Sequence, residues 1–89
     1  MDTTLDIMYD NTEIAPTRFI GFVGDHSRFD LAIITTNNFF GKKMVCCLQT
    51  GRSAILSAQE AEEAEYIQTA FQVSQEEAGE LSLFLSTNL

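Results

Sequence analysis

The sequence predicts an α+β fold: an antiparallel meander of four or five strands, with two C-terminal helices packed on one face. Three observations carry this. Residues 17–56 are rich in aromatic and β-branched side chains, broken only by short turn signals. Residues 57–87 switch to apolar side chains at helical spacing. Two Ser-x-x-Glu units stand where the helices would begin. The 89 residues make one domain. It divides into an N-terminal arm or edge strand (1–16), a β-meander (17–56) and a helical pair (57–87).

Each element has its own signal. "LDIMYD" places Leu5, Ile7 and Tyr9 on alternate positions, which fits a fifth, edge strand, and Pro16 ends whatever precedes it. "TRFIGFVGD" (17–25) reads as the first strand of the meander, and "DHS" follows as a turn. "RFDLAIITT" (28–36) alternates. Phe29, Leu31 and Ile33 point one way; Arg28, Asp30, Ala32 and Ile34 point the other. "NN" at 37–38 signals a tight turn, because Asn tolerates the left-handed conformation. "FFGKKMVCCLQ" (39–49) is the third strand, and "RSAIL" (52–56) the fourth. Short connections make the pairing antiparallel, in the order 1-2-3-4.

The helices start at capping boxes. Ser57 pairs with Glu60, and Ser74 with Glu77. Ala61, Ala64, Ile67, Ala70 and Phe71 form the apolar stripe of the first helix. Ala78, Leu81, Phe84 and Leu85 form that of the second.

The third strand holds the most chemistry. At period two, Phe40, Lys42, Met44, Cys46 and Leu48 share one face, and this more apolar face is expected against the helices. Phe39, Gly41, Lys43, Val45 and Cys47 share the outer one. Neighbouring strand residues point to opposite sides, so Cys46 and Cys47 cannot serve as two ligands on one ion. Nor do they have the C-x-x-C spacing of a redox pair. Both read as small apolar packing residues, with a reactive Cys47 as the sharper alternative.

The charge of −8 is unevenly laid out. All five bases fall within residues 17–56, while the segments on either side carry only acids. The overall sign repels phosphate backbones, so generic nucleic-acid binding is disfavoured. Arg18, Arg28, Lys43 and Arg52 form a candidate basic patch, interleaved with phenylalanines as in sheet-based single-strand binders. No apolar run reaches the roughly 18 residues of a membrane span. The acidic N-terminus lacks the basic start of a signal peptide. With only two, adjacent cysteines there is no spaced disulfide framework, and the expected location is cytoplasmic. His26, the single histidine, lies in a polar turn between Asp25 and Ser27. No catalytic constellation, metal site or cofactor is expected from it or from the scattered carboxylates.

The strands are apolar on both faces, and two helices can cover only one of them. Ile34, Val45 and Cys47 are the candidate interface on the uncovered side. The N-terminal segment or a second copy of the chain could cover it; a homodimer is expected, two-fold self-association being the commonest assembly, and an unidentified protein is a further partner to consider.

The run "YDNTE…TRFIGFVG…RFDLAIITTNNFFGKKMV…LQTGRSAIL", with the acidic helix and "SQEEAGELSLFL" after it, resembles an uncharacterised family of small acidic proteins from Firmicutes, a domain of unknown function. The likeness runs from about Tyr9 to Leu85. It implies a cytosolic bacterial protein and brings no catalytic motif. The expected function is a non-enzymatic protein-interaction or regulatory module, homodimeric. The alternative is a small-ligand or single-stranded nucleic-acid binder that uses the basic segment of the sheet.

Overall fold

The computed structural model describes residues 4–89; residues 1–3 of the predicted N-terminal arm lie outside the described part. The fold is α+β, with a four-stranded antiparallel sheet in the order β1-β2-β3-β4. The strands are β1 (Thr17–Val23), β2 (Arg28–Thr35), β3 (Lys43–Cys47) and β4 (Ser53–Leu56). Three helices follow: α1 (Ala58–Ala61), α2 (Ala64–Phe71) and α3 (Gln75–Ser86). Residues 4–16 form no strand, so the edge strand expected over "LDIMYD" is not made and the meander has four strands among the described residues.

One core lies between the sheet and the helices. The sheet supplies Phe29, Leu31, Ile33, Val45, Cys47 and Leu56, and the helices supply Ala61, Ile67, Phe71, Ala78, Leu81 and Leu85. Burying a side chain such as Leu31 or Phe71 contributes about 1.5–3 kcal/mol through the apolar surface it removes from water.

Register decides which face each strand residue takes. Leu31 pairs with Cys47 and Ile33 with Val45. Partners across a ladder project to the same side, so Val45 and Cys47 lie with the core residues of β2. Here the expected faces of the third strand are exchanged. Met44 and Cys46 lie on the outer face, and Val45 and Cys47 are buried beneath the helices. The cause lies just upstream. "NNF" winds into a short 3₁₀ turn (Asn37–Phe39), followed by Phe40 and Gly41 in the left-handed region at φ 49° and 86°. The strand therefore begins at Lys43 rather than Phe39, and Phe40 is left at the surface, 99% exposed.

The first predicted helix is likewise broken in two. Ser57 and Glu60 close their capping box, as do Ser74 and Glu77. The chain then leaves helical geometry at Glu63, whose extended backbone starts α2 without a side-chain cap. A buried hydroxyl compensates for the break: Ser82 on α3 donates to the carbonyl of Ala61. The break also turns Ala64 out to solvent, while Ile67 and Phe71 stay in the core.

Candidate interaction surface

The helices pack on one face of the sheet, and the other face is bare of any layer among the described residues. Two ladder rows define its centre. One runs Thr17, Ile34, Met44, Ile55; the next runs Phe19, Ala32, Cys46, Ser53. Phe19 is 74% exposed and Ile55 36%, while Ile34, Met44 and Cys46 are half-buried. Ala32 is buried because Phe19 and Cys46 flank it across both ladders. Farther along β1, Val23 is 78% exposed on the same face. The result is a stripe of apolar side chains across all four strands, bounded by Arg28 and Asp30, whose charges meet at 3.5 Å.

Of the three interface residues expected from sequence, only Ile34 lies on this surface. Val45 and Cys47 belong to the core for the reason of register given above. Phe19, Met44, Cys46 and Ile55 take their place. An alternation count alone does not find them, because β3 carries apolar side chains on both faces.

The four bases do not converge. By register Arg18 pairs with Ile33, and Lys43 with Leu56, so both fall on the helix side of the sheet. Arg18 reaches the C-terminal end of the chain and donates to the carbonyl of Asn88 at 3.3 Å. Arg28 is on the outer face, and Arg52 is exposed just ahead of β4. Lys42, one residue before β3, pairs with Glu60 at 3.1 Å and ties the sheet to α1.

His26 sits in the β1–β2 turn, and its neighbours are engaged elsewhere. The carboxylate of Glu80 on α3 accepts from the backbone N–H groups of Asp25 and His26 and from the Ser27 hydroxyl. The Ser27 proton thus points at a carboxylate rather than at the imidazole, whose Nδ1 lies 3.6 Å from the same carboxylate, so Ser27 and His26 form no serine–histidine pair. Partial burial disfavours the charged form of Glu80, but the donors from Ser27, His26 and Asp25 outweigh it and hold its pKa below the ordinary carboxylate value. The carboxylate packs close over Gly24: a Cβ at that position would lie 2.5 Å from it, so a larger residue would make the Glu80 side chain shift. Beside this turn, Phe22 stacks on Phe84 with ring centroids 4.3 Å apart, at the edge of an open groove of about 400 Å³. Among the described residues, no three His, Cys, Asp or Glu side chains gather as a metal site requires.

Fold and surface together define a small α+β protein with one covered and one open sheet face. The model of the SAV0927-like family matches residues 8–87, and the chain belongs to that family. No curated protein matches it in sequence. Among the described residues, no helix is long and apolar enough to cross a membrane.

Proposed function

We propose that the chain is a non-enzymatic interaction or regulatory module that works as a homodimer, joined through the outer face of its sheet. One observation carries the reading: Phe19, Ile34, Met44, Cys46 and Ile55 form a continuous apolar stripe with no layer over it among the described residues. A contiguous patch of this kind marks an interaction site, in contrast to single exposed apolar residues. The cytoplasmic, Firmicutes setting belongs to the same proposal. Its support is the sequence resemblance together with two free thiols, Cys46 and Cys47, as a reducing compartment keeps them. The small-ligand or nucleic-acid alternative draws no support from the geometry, since its four bases are divided between the two sides of the sheet.

Light scattering coupled to gel filtration tests the dimer. The expected mass is twice the 9.9 kDa of the chain. Phe19→Asp places a charge in the centre of the stripe and is expected to yield a folded monomer. A monomeric wild-type chain at tens of micromolar rejects the reading.

A further inference from the structure

The stripe on the sheet is not the only apolar surface left bare. Residues 4–12 are exposed throughout, and Leu5, Ile7, Met8 and Tyr9 are exposed by 86, 79, 93 and 82%. Leu5, Ile7 and Tyr9 occupy alternate positions, with Asp6 and Asp10 on the others. When such a segment is extended, Leu5, Ile7 and Tyr9 project to one side, and Asp6, Met8 and Asp10 to the other. It suits a pleated apolar surface, and in the single chain it touches none.

We propose that the N-terminal arm of each copy, residues 4–12, lies across the outer sheet face of the other copy, in a reciprocal exchange. The inference rests on the homodimer reading above and names what covers the stripe.

Three observations support it. The first is the tether. Glu13 accepts from the Thr36 hydroxyl, the Asn37 N–H and the Asn38 side-chain amide, and Thr35 N–H donates to the carbonyl of Pro16. The arm is fixed at its root against the β2–β3 turn and leaves the body from there. Its departure shows in the dimensions. The radius of gyration is 15.4 Å and the long axis 53 Å, against a radius of about 12 Å for a compact chain of this length.

The second is reach. Nine extended residues span about 30 Å, while four strands are only about 14 Å across between their outer axes. The arm is long enough to cross the whole stripe. Pairing instead with the free edge of β1 would widen the apolar face without covering it.

The third is area. The chain exposes 6428 Å², about 1,200 Å² more than a folded monomer of its mass. A standard interface removes about 800 Å² from each partner. The whole-chain surplus exceeds what such an interface removes from one partner, and the exposed arm is part of it.

Cys46, half-buried in the centre of the stripe, supplies a chemical probe. In the full-length chain, Leu5→Cys, Ile7→Cys and Tyr9→Cys are made singly and oxidised mildly. At least one is expected to give a disulfide-linked dimer on a non-reducing gel, lost when Cys46→Ser is added. Cross-links confined to the monomer band show the arm folding on its own sheet and overturn the exchange. So does a dimer that survives Cys46→Ser, which reports arm against arm. A wild-type Cys46–Cys46 dimer reports sheet against sheet; it overturns the exchange and leaves the homodimer standing.

A second measurement uses the full-length chain with Leu5→Ser, Ile7→Ser and Tyr9→Ser combined. These side chains lie mostly in water in the isolated copy, so circular dichroism is expected to be unchanged. The dimer dissociation constant is expected to rise on the order of 100-fold, as when anchoring side chains are removed from an interface. An unchanged constant overturns the exchange alone, whereas a monomeric wild type removes the homodimer reading with it.

Discussion

The hydroxyl of Ser27 donates to the carboxylate of Glu80 at 2.9 Å, joining the β1–β2 turn to α3 across more than fifty positions of sequence. With the N–H groups of Asp25 and His26, it makes Glu80 the cap of a turn it is not part of. Glu80→Ala is expected to lower the thermal midpoint, and Glu80→Gln to lower it less, because the amide oxygen still accepts. Gly24→Ala is expected to act in the same direction by pushing the carboxylate away. Thermal melts of the three variants check this; a midpoint equal to wild type in all of them would show that the cap adds nothing.

Glu80 is one of three carboxylates whose pKa is held below the ordinary range. For Glu13 the leading cause is the hydrogen bond from the Thr36 hydroxyl. For Glu60 it is the backbone N–H of Ser57, with Lys42 adding to it. In each case the folded pKa lies below the unfolded one, near 4.3. Linkage then fixes the sign. The stabilisation is present above the unfolded pKa and is lost as pH falls through the folded values. The midpoint is expected to be flat in this respect above about pH 5 and to drop below about pH 4. A Glu80→Gln chain should show a shallower drop than wild type over the same range.

The elements were legible in the sequence wherever their cause is local. Both capping boxes join residues three apart, and both close as expected. The alternation of Phe29, Leu31 and Ile33 is legible because the opposite positions begin with Arg28 and Asp30, although Ala32 and Ile34 follow them. The failures have longer-range causes. β3 offers Met44 and Cys46 on one face against Val45 and Cys47 on the other, so its own residues cannot choose between them. The choice comes from pairing with β2, after the turn at 37–41 has removed Phe39 and Phe40 from the strand. The Glu80 cap and the break at Glu63 depend on α3 lying against elements far away in sequence. The outer stripe was legible as a surplus of apolar positions, but its members were set by the same register.

The core depends on the helices meeting the sheet through a few large side chains. Phe71, Ile67 and Leu81 are among the largest fully buried ones. Phe71→Ala is expected to cost about 3–5 kcal/mol, and Leu81→Ala about 2–5 kcal/mol, through lost transfer energy and the cavity left behind. Ala64→Ser, at an exposed position assigned to the apolar stripe by spacing alone, is expected to stay within about 0.5 kcal/mol of wild type. Urea unfolding of the three variants separates the positions. A large loss at Ala64 would restore the unbroken first helix.

Phe40 has the opposite profile, with a bulky ring in the left-handed region and nearly all its surface in water. Left-handed backbone costs an L-residue about 1–2 kcal/mol, a cost glycine avoids. Phe40→Gly is therefore expected to hold or raise monomer stability by up to about 1 kcal/mol, net of the flexibility that glycine adds to the unfolded chain. Denaturant titration at low protein concentration measures it. A loss of 2 kcal/mol or more would mean that the ring packs against something.

The two adjacent thiols separate the faces of β3 in one experiment. Cys47 is 3% exposed, and its sulfur lies 3.4 Å from the side-chain oxygen of Gln49. Cys46 is half-buried on the open face. A thiol must be reached by the reagent before it reacts. In dilute protein, a disulfide reagent is expected to titrate one thiol quickly, and the second only after denaturation. Cys46→Ser should abolish the fast phase and Cys47→Ser should leave it. Concentration adds a further reading. If the open face is where two copies meet, the fast phase slows as protein concentration rises through the dimer dissociation constant. A rate independent of concentration from nanomolar to hundred-micromolar protein would place Cys46, and the stripe around it, outside any contact between copies.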